Sequence, residues 1–256
     1  MVITFDLGNS DLVLGLFEEH HLVTTIRIKT DVLKSSDEYS KIIKELLVLN
    51  NIDLTKIEGG IISSVVPPLN EVLKGSFKQL FKKEPLFVGN GLKSGIKIIA
   101  DNPLEVGADL IADCLGAKIK YSLPALIIDL GTASKVLLLD ENGSFSGCVI
   151  APGIKTSTLT LANSASQLPH INMKTPKKVL GRNTMDAMNS GVCYGFSGMI
   201  DGIVNRIEHE LGYQTTHILT GGLANVVKDN LMINFIQDDN LILDGLYEMY
   251  LKNVKG

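Results

Sequence analysis

The sequence predicts an α/β protein built from a duplicated domain, with a cleft between the two copies. Three observations predict it. A short motif recurs about half a chain apart. Each half opens with apolar strands and continues into helical periodicity. The composition is that of a folded chain: of 256 residues, 45% are hydrophobic and 20% charged, enough to give each half its own core.

The repeat appears when FDLGNSDLVLGLF (residues 5–17) is laid over IDLGTASKVLLLD (128–140) without a gap. Asp6 then meets Asp129, Leu7 meets Leu130 and Gly8 meets Gly131, 123 residues apart. Further on, Val13, Leu14 and Leu16 meet Val136, Leu137 and Leu139. Two unrelated hairpins could share apolar positions, but a shared D-L-G at equivalent points favours duplication.

In the first half, residues 2–5 form a strand that ends in Asp and Gly, and a second strand returns after a polar turn. A third strand is expected over 22–28. Ser36-Asp37 can cap a helix over 38–49, with Tyr39, Ile42, Ile43, Leu46 and Leu47 on one stripe. A buried strand over 61–66 stops at Pro67-Pro68, and a helix follows over 69–81. Short strands at 85–88 and 96–99 precede a helix over 107–121. The second half repeats the scheme: strands at 125–128 and after Gly131, a turn at 141–143, and a strand over 146–151. Helices are expected over 153–165 and, interrupted by glycines, over 184–211. A strand at 217–220, the Gly221-Gly222 turn and another helix follow. The expected domains are 1–118 and 119–256.

The formal net charge is −4, and the basic residues are scattered, so neither nucleic acid nor an anionic membrane is an expected partner. No basic stretch followed by an apolar run opens the chain, and Asp6, Asp129 and Asp140 break the best apolar runs. Neither a secretory signal nor a membrane span is therefore expected. Cys114, Cys148 and Cys193 have no paired spacing and read as free buried thiols in a reducing cytoplasm. The five histidines lack metal-ligand spacing and read as surface or structural. Small molecules or other protein surfaces are the expected partners.

Asp6-Leu7-Gly8-Asn9-Ser10 reads either as an ordinary hairpin turn or as a phosphate loop. In the second case Gly8 and Asn9 allow positive φ, Ser10 adds a hydroxyl, and Asp6 holds a Mg²⁺ or its water shell. Asp129-Leu130-Gly131-Thr132 poses the same choice. Its Asp ends a nearly uninterrupted apolar strand, an expensive place for a carboxylate without a partner or ion. Thr220-Gly221-Gly222 is either a close backbone approach to a nucleoside or a plain helix entry. Asp109, in the first turn of a helix, either complements the helix dipole or accepts a proton from an attacking hydroxyl. Asn183-Thr184 caps the long helix, or Thr184 bonds substrate.

Taken in order, these segments resemble type III pantothenate kinase along nearly the whole chain. The matching pieces are DLGNS (6–10), NPLEVGAD (102–109), DLGTAS (129–134), GCVIAPGIKTS (147–157), LP (168–169), GRNT (181–184), SG-x₃-G (190–195) and TGGLA (220–224). The resemblance implies two ribonuclease-H-like domains of the actin-like ATPase kind, and a homodimer with active sites at the subunit interface. It also implies ATP with Mg²⁺, a monovalent cation (K⁺ or NH₄⁺), and phosphorylation of pantothenate as the first step towards coenzyme A. Carried over by residue, it places Asp6, Leu7, Gly8, Asn9, Ser10, Asp11, Leu12, Val13 and Thr132 at ATP. It makes Asp109 the general base, gives Asp129 the monovalent cation, and puts Gly107, Ala108, Asp109, Leu110 and Thr184 at pantothenate.

Besides a mild Ser10 for Thr, the chain departs from the family pattern at four places. Leu110 stands where an Arg is usual and Ala100 where a Tyr is usual. Asp11 replaces an Asn, and Lys135 replaces a small hydroxyl residue. These departures leave two further outcomes open: a kinase with another hydroxyl acceptor, or a weakly catalytic paralogue with a binding role.

Overall fold

A computed structural model of the chain describes residues 1–89 and 91–254. Strands β1 (Val2–Leu7), β2 (Asp11–Glu18) and β3 (His21–Lys29) form an antiparallel meander. Helix α1 (Ser36–Leu49) follows. Its cap is Ser35, whose side chain accepts from the Glu38 N–H while Glu38 reaches back. The expected Ser36 instead donates to the Val72 carbonyl, because Ser35 is the residue with extended backbone dihedrals that a capping box requires. Strand β4 (Gly59–Ser64), a 3₁₀ turn at Pro67–Leu69, helix α2 (Asn70–Phe81) and strand β5 (Leu86–Phe87) complete a five-stranded sheet in the order β3-β2-β1-β4-β5. The short strand expected at 96–99 is reduced to one bridge, Ile98 to Phe145.

Helix α3 (Ala108–Lys120) leads to β6 (Ala125–Leu130), β7 (Ala133–Leu139) and β8 (Phe145–Pro152). Helices α4 (Ile154–Ser164) and α5 (Thr184–Leu211) come next, then β9 (Thr216–Thr220), the one-turn α6 (Ala224–Val227), β10 (Ile236–Gln237) and helix α7 (Leu241–Val254). The glycines expected to interrupt α5 do not: it runs as one 28-residue helix. The second sheet has the order β10-β9-β6-β7-β8. Substituting β6 for β1 and so on, this is the first sheet again, including its parallel and antiparallel neighbours. The duplication therefore extends to strand order and direction.

The gapless overlay slips after the loop. Four residues separate the paired Leu7 and Leu12, but three separate Leu130 and Ser134. Lys135, not Val136, is thus the counterpart of Val13. A slip of one residue turns a strand's side chains to the opposite face, and the core shows which register holds. Leu12, Leu14 and Leu16 pack in one core, and Val136 and Leu138 in the other.

The chain folds into two compact units. The first joins Met1–Lys97, Asp101–Ile119 and the chain from Asn240; the second joins Ile98–Ala100 and Lys120–Asp239. The expected domain 119–256 thus loses its last helix to the first unit. The reason is exposed sheet. Ile3, Phe5 and Leu7 face α1 and α2, and the opposite face of β1, β2 and β4 is covered by α7. There Tyr247 stacks on Phe17 at 4.3 Å. Helix α7 packs in turn on α3 so closely that a Cβ at Gly245 would lie 1.9 Å from the Ala112 carbonyl oxygen. In the second unit, Leu126, Ile128 and Leu130 share a core with Val192, Ile200 and Val204 of α5 and Ile154 of α4.

Candidate active site

The first loop is fastened at both ends. The Gly8 N–H donates to the Asp11 carbonyl at 2.9 Å. Thr30, just past β3, donates its N–H to the Ser10 carbonyl (2.9 Å) and its hydroxyl to the Gly8 carbonyl (2.7 Å). The left-handed backbone allowed for Gly8 and Asn9 is not used, since neither has a positive φ. Asn9 and Ser10 are exposed, whereas Leu7 and Leu12 are wholly buried, so the two leucines can offer a ligand only their backbone. Asp6 stands opposite Val13 and beside Ser63 of β4, on the face away from α1 and α2. The Ser63 hydroxyl is buried and makes no hydrogen bond. A carboxylate beside an unsatisfied hydroxyl is an oxygen-only set that fits Mg²⁺ arriving with a phosphate ligand. Asp11 does not leave a bare extra carboxylate near the loop, because Arg27 pairs with it at 3.2 Å.

The second loop is built differently. Lys135 lies directly across the β6–β7 ladder from Asp129, and its Nζ sits 2.6 Å from Asp129 Oδ2, with the side chains 13% and 14% exposed. On the carboxylate's other side is Gly221, at φ +94°, where a Cβ would lie 2.5 Å from Asp129 Oδ1. The glycine turn after β9 thus serves close approach to Asp129, and the helix beyond it has only one turn. The Leu223 N–H donates to the Leu130 carbonyl at 2.9 Å, and the Thr156 hydroxyl to the Thr132 carbonyl at 3.1 Å. Thr132 itself is exposed. Lys135 already fills this place with a unit charge and leaves a free monovalent cation little net attraction at Asp129: its repulsion from an ammonium about 4 Å away, about 4 kcal/mol at an effective dielectric of about 20, offsets much of what the carboxylate would offer it. Cys148, expected to be buried, is exposed on β8, whereas Cys114 and Cys193 are buried. Partial desolvation pushes the Cys148 thiol pKa up, against the nearby Lys135 charge that lowers it.

Asp109 occupies the first turn of α3. A 3₁₀ turn at Pro103–Glu105, capped by Asn102, delivers the chain to it. The carboxylate folds back over Gly107, where an added Cβ would lie 2.4 Å from Oδ1, so a side chain at 107 would push the acid aside. Gly107, Ala108 and Asp109 are half-buried, and Asp113, one turn further along, is buried. Leu110 is 7% exposed and Ala100 half-buried; neither side chain can donate a hydrogen bond. At the start of α5, Asn183 alone does the capping, accepting from the Asp186 N–H at 2.9 Å, and Thr184 is exposed at the first helical position. A cavity of about 520 Å³ lined by Glu208, His217 and Phe235 adjoins the start of β9, the end of the strand away from the Asp129 loop.

Residues that the sequence reading did not single out are Arg27, Thr30 and Ser63. Strand alternation could have found Arg27, because Val13 pairs with it and places it at the loop-proximal end of β3. Nothing in the sequence marks Ser63 as the neighbour of Asp6, since that depends on the parallel register of β1 with β4.

The solved structures this chain resembles share its fold at low identity. One is a Campylobacter jejuni protein assigned to the Baf family of transcriptional activators (TM-score 0.63, 19% identity, covering 99% of this chain and 100% of that one). Another is the activator of the 2-hydroxyisocaproyl-CoA dehydratase from Clostridium difficile with bound ADPNP (0.57, 12%, 98% and 93%). A third is MreB 5 of Spiroplasma citri bound to AMPPNP (0.56, 12%, 99% and 96%). The fold and its paired loops therefore define the class: a duplicated ribonuclease-H-like protein with the architecture of actin-like ATPases and sugar kinases. Within that class, a type III pantothenate kinase model matches residues 2–206. The type III pantothenate kinase of Exiguobacterium sp. strain AT1b is 40% identical over 255 residues, covering 100% of both chains. That of Bacillus cytotoxicus is 40% identical over 253 residues, covering 99% of this chain and 97% of its own. The chain belongs to the type III pantothenate kinase family.

Proposed function

We propose that the protein transfers the γ-phosphoryl group of ATP to the hydroxyl of pantothenate, the first step towards coenzyme A. The observation that carries this reading is family membership over the full chain, supported by a D-L-G hairpin at the same strand position in both sheets. Magnesium would neutralise phosphate charge during transfer. Asp6, with Ser63 beside it, would hold the ion or its waters, and the tethered backbone of Gly8–Ser10 would position the nucleotide; the resemblance adds Thr132 as a nucleotide contact. Asp109 takes the proton of the attacking hydroxyl as its oxygen bonds to phosphorus and ADP leaves. The Gly107-Ala108 turn and Thr184 orient the acceptor. The resemblance gives the family's monovalent cation, K⁺ or NH₄⁺, to Asp129; in this chain the Lys135 ammonium stands at that carboxylate instead.

The same reading makes the protein a cytoplasmic homodimer with its active sites at the subunit interface, and without nucleic-acid or membrane partners. No helix among the described residues is long and apolar enough to cross a membrane. Ala100 and Leu110 cannot supply the hydrogen bonds that the usual Tyr and Arg would offer an acidic substrate. A lost charge-assisted bond of about 1.5–3 kcal/mol corresponds to a KM for pantothenate raised by about one to two decades. The deciding experiment measures ADP release with Mg²⁺, with and without pantothenate. Release that requires pantothenate is the expected result; hydrolysis indifferent to it would overturn the assignment.

A further inference from the structure

We propose that Lys135 is a built-in monovalent cation: its ammonium occupies the place beside Asp129 that K⁺ or NH₄⁺ would otherwise take, so nucleotide binding is independent of added monovalent salt. The inference rests on reading the Asp129 loop as a nucleotide loop and goes beyond it, because it concerns what completes that loop.

Three features of the molecule carry it. The first is register. Asp129 and Lys135 are directly opposed across an antiparallel ladder, where side chains share one face and lie close enough to touch. The short three-residue turn of the second loop is what brings a lysine there; one more residue in the turn would present a different side chain. The second is burial. With only 13% and 14% of the side chains exposed, this is not a fluctuating surface pair. The third is close approach. The Gly221 backbone comes near the Oδ1 side of the carboxylate, where an added Cβ would lie 2.5 Å away, while Lys135 holds Oδ2, so the ammonium takes up the side of the carboxylate that the glycine turn leaves.

The chemistry of the substitution is conservative. A lysine ammonium has the unit charge of K⁺ and is the same group as NH₄⁺, now tethered to the chain. Its three N–H donors can serve a carboxylate and phosphate oxygens together. Tethering also removes the entropy cost of capturing an ion from solution. A small hydroxyl residue at 135 would leave Asp129 without this charge, and a soluble cation would then be needed.

The test is the dissociation constant of ADP with Mg²⁺, measured calorimetrically in KCl and in tetramethylammonium chloride at equal ionic strength. For the native protein the two values should agree within about twofold, and Lys135→Ser should bind about tenfold or more weakly in tetramethylammonium and recover in KCl, as loss of one charge-assisted contact requires. Lys135→Met, which keeps the side-chain length, gives a second neutral variant should the serine protein fail to fold. Thermal unfolding of either variant should rise with KCl in a saturable way that tetramethylammonium does not reproduce. Native binding that tightens about tenfold in KCl would overturn the inference and leave the kinase reading intact. A serine variant that binds more tightly in both salts would also overturn it, showing that Lys135 blocks the loop. No ADP binding by the native protein in either salt would remove the nucleotide reading itself, and this inference with it.

Discussion

The two D-L-G hairpins occupy the same position in identically ordered sheets, yet they set different side chains across the ladder from their aspartates. In the first, Asp6 faces the hydrocarbon of Val13 and stands beside an unsatisfied buried hydroxyl. The loop's ion pair, Asp11 with Arg27, lies at the rim with 38% and 56% of its side chains exposed. In the second, the aspartate itself is the paired group, and the pair is buried. Duplication supplied two equivalent carboxylates, and a difference of one residue in turn length decided which side chain each would meet. The second places a lysine directly across the ladder from its aspartate, where the first places a valine.

The largest effect should come from outside both loops. Asp109→Asn should lower kcat by about 10²–10⁴-fold while the ADP dissociation constant changes little. A parallel loss of ADP affinity would make Asp109 part of the nucleotide site and break the separation of roles. Removing the buried partner comes next. Asp129→Ala removes the buried carboxylate that Lys135 faces across the ladder and should cost about 3 kcal/mol in urea unfolding. A change below about 0.5 kcal/mol would put this pair in the same class as a surface one.

The comparison can also be sharpened by making the loops alike. Val13→Lys would place an ammonium across the ladder from Asp6, as Lys135 lies across from Asp129. It should raise the Mg²⁺ concentration for half-maximal activity by about one to two decades, since a charge-assisted contact then competes for the carboxylate. An unchanged Mg²⁺ requirement would separate Asp6 from the metal. A smaller effect provides a control distant from both loops. Burial raises the Glu208 pKa, but bonds from His217 and from the Thr215 N–H and hydroxyl outweigh it, and the net shift is downward. A depressed folded-state pKa gives stability that is present above the unfolded carboxyl range, near pH 4.3–4.5, and is lost as pH falls through the folded value. Glu208→Gln should therefore lower stability by about 1 kcal/mol at neutral pH and shrink the difference from the native protein in acid. A penalty that stays constant down to about pH 2 would show that the carboxylate's charge is irrelevant there. The smallest effect belongs to the first loop's own ion pair: Arg27→Ala should change stability by less than about 0.5 kcal/mol, read by the same urea titration.

Much of the fold was legible because it is local. Strand alternation, the Pro67-Pro68 stop, the Tyr39-Ile43-Leu47 stripe and the repeated D-L-G all report the chain's immediate neighbourhood, and the structure places strands and helices where they predict them. Legibility failed where a partner far along the chain decides. Ser35 and Ser36 are equivalent as letters, and only backbone dihedrals make the first the cap. Helix α7 went unread, although Leu243, Leu246, Tyr247 and Tyr250 mark its buried residues; that it should cover the first sheet follows only from which face was left open.

The sequence by itself determined the α/β class, the duplication, the family, and Asp6, Asp109 and Asp129 as the carboxylates to consider. Each of these lives in residue identity and short-range order, which the chain carries whether folded or not. Tertiary structure alone decided that Leu110 is buried, that Arg27 answers Asp11, that Ser63 lies beside Asp6, and that Lys135 answers Asp129. The physical reason is that charge compensation and burial depend on distance across ladders, and a ladder's register is set by the cores on its faces. A gapless overlay of the two motifs cannot see that register, and it misplaces Lys135 by the one residue that matters.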